Sequence, residues 1–295
     1  MSIVERALAR FGAPLYVRRE IVHNRYTVER LREAGVIFVE ELDAVPSGAR
    51  VVFSAHGVSP AVKADAEARS LESIDATCPL VSKVHGEVLR YAKKGYHLVL
   101  VGHDGHDEVL GTRGHAPESI TLVQDVAEAE AVELPAEAAS GEQPLFVVTQ
   151  TTLSVDDTKA IIDALSQRFA HLERPKAGDI CYATQNRQDA IRALCDEPEV
   201  DLVLVVGSPN SSNSKRLAEL ARQRGIRGEL IDGPQDVDPQ WLEGIRGVGL
   251  SAGASTPEVL VQGVVAKLRE HGVEEPQALT TVEENVVFTL PKALR

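Results

Sequence analysis

Cysteine is scarce in this chain: three residues among 295, at Cys78, Cys181 and Cys195. Three make a poor disulfide framework, and a reducing compartment would argue against one in any case. Long apolar runs are missing, so no stretch reads as a membrane span. No signal-peptide pattern opens the sequence, and a cytoplasmic protein is expected. Basic residues are outnumbered, 31 Lys and Arg against 44 Asp and Glu, for a net charge of −13. That balance excludes duplex nucleic acid as the main partner, which would need a basic surface. It leaves open a small anion held in a local pocket. A G-x-G-x-x-G turn is also absent after the first strand pattern, which removes the main support for a nicotinamide-dependent Rossmann enzyme.

What is present is an alternation. "VVFSAHG" from Val51, "HLVLVGHDGH" from His97, "LFVVTQTT" from Leu145, "VDLVLVVGS" from Val200 and "GVGLSAGAS" from Gly247 read as strands. Helical patterns such as "VDDTKAIIDALSQRF" and "SNSKRLAELARQRG" lie between them. Strands alternating with helices predict an α/β fold with mostly parallel sheets. "SIVERALARFGAP" predicts a helix from Ser2 with Ile3, Val4, Ala7, Leu8 and Phe11 on one face and Gly12 at its stop. With no strand ahead of that helix, the chain is expected to begin inside its first β-α unit. The acidic, Ala-rich stretch from Asp125 to Pro144 predicts a surface helix and a loop. The tail "ENVVFTLPKALR" predicts one more strand-like run, ended by Pro291, that closes over another part of the molecule.

Each strong strand ends in small polar residues or histidines, and a helix follows. Such clusters are either ordinary helix caps or one shared polar site at the carboxyl edge of the sheets, where anions suit the helix N-termini. His23, His56, His103 and His106 fall in these places, and gathered imidazoles suit a phosphate or diphosphate. The spacing of His103, His106 and Glu108 matches no standard zinc motif. Glu108 is either a helix-start carboxylate or a proton donor beside a ligand. Thr151 and Thr152 are caps or hydroxyls facing the same site. Ser211, Ser212 and Asn213 open a helix as a neutral anion cradle, and Ser255 does the same elsewhere. Cys78 and Cys181 each start a predicted helix; they are either inert thiols or thiolates that hold an iron–sulfur cluster from distant parts of the chain. Cys195, in "AIRALCDEPE", reads as a packing residue.

The motifs "YVRREIVHNRY", "FSAHGVS", "DATCPLVSKVH", "GHDGHDEVLGT", "TQTTLSVDDT", "DICYATQNRQ", "GSPNSSNSKRLAEL" and "AGASTPEVLVQ", in that order, closely resemble the 4-hydroxy-3-methylbut-2-enyl diphosphate reductase family. The resemblance runs from Ser2 to Arg295. It implies three similar α/β domains in a trefoil around a central cavity, here at 1–78, 79–177 and 178–268, with a tail at 269–295 closing over the fold. It implies an iron–sulfur cluster, [4Fe-4S] in the family, and two-electron removal of the substrate hydroxyl as water. The products would be isopentenyl and dimethylallyl diphosphate, in the last step of the methylerythritol phosphate route. Cys78 and Cys181 would be cluster ligands. His23, His56, His106, Thr151, Ser211, Ser212, Asn213 and Ser255 would bind substrate, and Glu108 with Thr151 would deliver protons. Ferredoxin or flavodoxin would be the electron donor. The family begins with a strand and a Gly-Phe-Cys-Ala-Gly-like turn carrying a further cluster cysteine. This sequence lacks that segment, so its first domain is expected to miss its N-terminal strand and the cluster one ligand. A cluster-deficient, non-catalytic diphosphate-binding relative is the competing expectation.

Overall fold

The structure is a computed structural model that describes residues 2–175, 178–274, 276–282, 284, 286 and 288–295. Helix α1 (Ser2–Phe11) opens the chain. Its Val4 and Ala7 are fully buried while Glu5 and Arg6 face outward, as the apolar spacing requires. Gly12, at φ +77°, ends it.

Three separate sheets follow, every strand pair parallel. The first, in the order β2-β1-β3-β4, is built from β1 (Leu15–Arg18), β2 (Val36–Val39), β3 (Arg50–Phe53) and β4 (Glu72–Asp75). Helices α2 (Arg25–Glu33) and α3 (Pro60–Ala68) connect its strands. Helix α4 (Pro79–Lys93) leads to the second sheet, in the order β6-β5-β7-β8. Its strands are β5 (His97–Val101), β6 (Ile120–Val123), β7 (Leu145–Thr149) and the two-residue β8 (Leu172–Glu173). Helices α5 (Asp107–Arg113), α6 (Val126–Ala131), α7 (Ala136–Ser140) and α8 (Val155–Arg168) accompany it. Helix α9 (Tyr182–Asp196) precedes the third sheet, β10-β9-β11, made of β9 (Val200–Val206), β10 (Arg227–Ile231) and β11 (Gly247–Ala252). Helices α10 (Ser212–Gln223) and α11 (Glu258–Glu270) complete that part.

The central strands are the most apolar. All five residues of β5 and of β7 are buried, because helices cover both faces, and the polar ones, His97 and Thr149, stand at strand ends. The stretch from Asp125 to Pro144 forms two short helices, α6 and α7, rather than one. Each turns one alanine, Ala129 and Ala138, fully into the core, which only a small side chain at that spacing permits.

Two compact units emerge. One comprises Met1–Val22, Arg30–Ile180 and Phe288–Arg295, with the first two sheets; the other comprises His23–Glu29 and Cys181–Val287, with the third. Helix α11 runs on to Glu270, past the expected boundary at 268. In the tail, Asn285 and Val287 of the expected strand-like run lie outside the described residues. The described residues there, Glu284, Val286 and 288–290, form no strand. The chain end instead docks by one apolar side chain. Leu294 is buried against Val4 and Ala7 of α1 in the first unit's core, and Arg10 donates to the Arg295 carbonyl at 3.0 Å. Among the described residues no helix is long and apolar enough to cross a membrane.

Candidate active site

The first unit assembles four of the expected residues. After β5 the chain turns through "GHDGHDE", and His106 becomes the N-cap of α5, its Nδ1 accepting the Glu108 N–H at 3.1 Å. That bond leaves Nε2 to carry the proton in the neutral ring. The first helical turn directs Glu108 inward, where it is 2% exposed. There its carboxyl group accepts the Thr151 N–H at 2.7 Å and the Thr151 hydroxyl at 3.0 Å. Burial pushes the Glu108 carboxyl up to about 7; the two Thr151 bonds pull it down, and the charge of Asp179 adds to the rise. A carboxyl group poised there can hold a proton and release it at neutral pH.

His56 follows β3 on the "SAHG" loop. Its Nδ1 lies 3.4 Å from the Ser54 hydroxyl and 3.9 Å from Asp107 Oδ2. The rings of His56 and His106 stand edge to face with centroids 5.7 Å apart. This approach depends on Gly114 at the end of α5: a Cβ there would lie 2.2 Å from the Cβ of Ser59, so the helix could not sit against the loop after His56. Arg19 pairs with Asp107 and, at 3.5 Å, with Glu41. Its burial opposes the guanidinium charge, but the two carboxylates outweigh that and the group's proton affinity rises.

The second unit gathers polar side chains at the start of α10. Ser211 caps that helix, its hydroxyl accepting the Ser214 N–H at 3.3 Å and the Ser214 hydroxyl at 3.0 Å. Ser212 opens the first turn, half-buried. Asn213 is 4% exposed, and among the described residues neither its amide nitrogen nor its amide oxygen has a hydrogen-bond partner. A buried carboxamide without partners costs about 1–3 kcal/mol, a cost that a bound anion accepting the amide N–H would relieve. The neighbouring loop closes on the same helix start. A Cβ at Gly253 would fall 2.1 Å from the Ser214 hydroxyl, so only glycine allows the approach. Ser255 donates to the His23 carbonyl at 3.2 Å, and the Ser208 hydroxyl accepts the Arg25 N–H at 2.9 Å. His23, Ser211, Ser212, Asn213 and Ser255 therefore belong to one assembly.

The cysteines divide two to one. Cys78 and Cys181 are the N-caps of α4 and α9, with nearly the same backbone (φ −57°, ψ 134° and φ −59°, ψ 133°), and neither side chain caps its own helix. Thiolates are favoured at helix N-termini by the free N–H groups and the dipole. Cys78 also donates its N–H to the Ala55 carbonyl, next to His56. Cys195 packs within α9 against the third sheet's core, and burial raises its thiol.

Residues 1–269 match the family model described as LytB protein. The chain is 54% identical to the 4-hydroxy-3-methylbut-2-enyl diphosphate reductase of Pseudomonas aeruginosa, covering 100% of this chain and 93% of that one. This chain belongs to the LytB family. It is also 55% identical to the reductase of that name from Bordetella pertussis, covering 88% of it. The solved structure of the E-1-hydroxy-2-methyl-but-2-enyl-4-diphosphate reductase from Plasmodium falciparum superposes with a TM-score of 0.92 at 38% identity, over 99% of this chain and 91% of that one.

Within this LytB chain all three cysteines are free and part-exposed; Cys78 and Cys181 stand at helix starts, and Cys195 lies near the end of α9. Sequence reasoning passed over Asp107, Ser208 and Asp179. Asp107 and Asp179 adjoin Glu108 and precede Cys181 by two residues, so proximity to a motif was the available signal. Ser208 lay inside a quoted motif but was overshadowed by Ser211 and Ser212.

Proposed function

We propose that this chain reduces (E)-4-hydroxy-3-methylbut-2-enyl diphosphate to isopentenyl and dimethylallyl diphosphate. The carbon–oxygen bond of the hydroxyl breaks, two electrons and two protons enter, and water leaves. The observation that carries this reading is Glu108, a fully buried carboxyl group gripped by Thr151 and poised to titrate at about 7. A protein that merely held a diphosphate would have no use for it.

His23, His56, His106, Ser211, Ser212, Asn213 and Ser255 are assigned to substrate, with the Asn213 amide N–H and the α10 N-terminus meeting diphosphate oxygens. Glu108 gives a proton to the departing hydroxyl, directly or through the Thr151 hydroxyl, and takes another from solvent. An iron–sulfur cluster, with Cys78 and Cys181 among its ligands, would supply single electrons and Lewis acidity when bound. A protein of the ferredoxin or flavodoxin class would feed it.

The test is anaerobic reconstitution with iron and sulfide, followed by turnover with a chemical reductant and assay of both products. Diphosphate binding without thiolate-to-iron absorbance near 400 nm (about the region expected for such clusters) and without reduction would establish the non-catalytic alternative.

A further inference from the structure

Strand β7 has an incomplete edge. Its partner β8 is two residues long, and the ladder between them ends at Phe146 paired with Glu173. Beyond that point β7 must find other acceptors for its edge N–H groups, because a buried unpaired N–H is costly. The last of them, on Thr149, donates to Asp179 Oδ2 at 3.1 Å. The Asp179 side chain is 0% exposed. Its other oxygen accepts from Lys83 Nζ at 3.2 Å, and the same ammonium donates to the Gly178 carbonyl at 2.8 Å. On the opposite edge the Gln150 N–H donates to the Val101 carbonyl at 2.8 Å. The Thr149–Gln150 step is thus clamped from both sides, and Thr151, which grips Glu108, comes next.

We infer that Asp179 is a positioning residue for the Glu108–Thr151 pair: its carboxylate stands in for the missing strand partner at Thr149 and so fixes the turn from which Thr151 meets Glu108. A buried carboxylate is costly unless it is paired and hydrogen-bonded, and Lys83 and the Thr149 N–H do both for Asp179. Its charge also disfavours the ionisation of Glu108, after the larger effect of burial. Lys83 provides the counter-charge. Glu87, one turn along α4 and 4.0 Å from Lys83, is pushed up by its own burial and by Asp179. His106 also adjoins Glu108, its Nδ1 accepting the Glu108 N–H.

This inference rests on the reductase reading, but its test does not need turnover. In the full chain without substrate, the Glu108 carboxyl band is followed by infrared titration, with Glu108→Gln to identify it, and Thr149 and Thr151 amide exchange is measured in parallel. Asp179→Asn keeps an acceptor for Thr149 and removes the charge, so Glu108 should titrate at lower pH with the Thr149 amide still protected. Asp179→Ala removes both, so the Thr149 and Thr151 amides should in addition exchange about tenfold faster, the loss of one buried hydrogen bond. With substrate, both variants should lower kcat and leave KM near that of the parent. Thr149 and Thr151 amides that exchange no faster in Asp179→Ala than in the parent would overturn the inference, and should that variant fail to fold, Asp179→Leu, which fills the same space without an acceptor, makes the same test. Failure of the parent chain to reduce substrate would count against the reductase reading and leave the Asp179 result standing.

Discussion

Glu108 in the first unit and Asn213 in the second are both buried polar side chains beside a helix start, at 2% and 4% exposure. One is fully satisfied and the other is not. Glu108 has its bonds supplied by Thr151, so its environment is complete before any ligand arrives and sets its proton affinity. Asn213 has both amide atoms unpartnered among the described residues, so the folded chain stores an unmet need that a ligand can meet. Under the proposed function, the group that exchanges protons is held by the fold, while the group that recognises an anion is left open for it.

The largest way to break the comparison is Glu108→Gln. Turnover should fall roughly 100- to 10,000-fold while inorganic diphosphate still binds; turnover near the parent's would remove Glu108 as proton donor. The same variant tests the tuning. A carboxyl group raised from 4.5 to about 7 stabilises the fold fully below pH 4.5, and that stability is lost as pH rises through 7. It amounts to about 3 kcal/mol. Denaturant unfolding of Glu108→Gln should therefore vary less between pH 4.5 and 7 than that of the parent.

Asn213→Leu should act oppositely on binding and stability. Affinity for inorganic diphosphate should drop roughly 10- to 100-fold, while the ligand-free chain keeps or gains thermal stability. A ligand-free chain markedly destabilised by this change would show that Asn213 is satisfied after all. Gly114→Ala should cost about 1–3 kcal/mol, because the new Cβ meets Ser59. Differential scanning calorimetry would read that cost, and the His56–His106 contact should loosen with it. Cys195→Ala should have the smallest effect, within about 1 kcal/mol, with iron content after reconstitution unchanged. Cys181→Ser, by contrast, should lose iron.

Long and strongly apolar elements were legible from the residues alone. The runs from Val51, His97, Leu145, Val200 and Gly247 all form strands, and α1 begins and ends where its apolar spacing and Gly12 place it. Short elements were not. β1, β2, β4 and β6 have four residues each and β8 two, too few for a period of two to stand out, and β3, equally short, was legible only through its unbroken apolar run from Val51 to Phe53. Alanine-rich α6 and α7 read as one surface helix because alanine carries little hydrophobic signal, yet Ala129 and Ala138 are fully buried. In the tail, valine and phenylalanine predicted a strand; the described residues form none.

Residue chemistry and order along the chain by themselves determined the family and the α/β alternation, and named the candidate site residues His56, His106, Glu108, Thr151, Asn213 and the two cysteines at N-cap positions. Tertiary structure alone decided what those residues experience. Glu108 is an ordinary carboxyl in the string of letters. It becomes a neutral-pH acid because packing removes water from it, brings Thr151 to it from 43 positions away, and sets Asp179 nearby. Solvation and charge depend on distance in space, and sequence carries distance only along the chain.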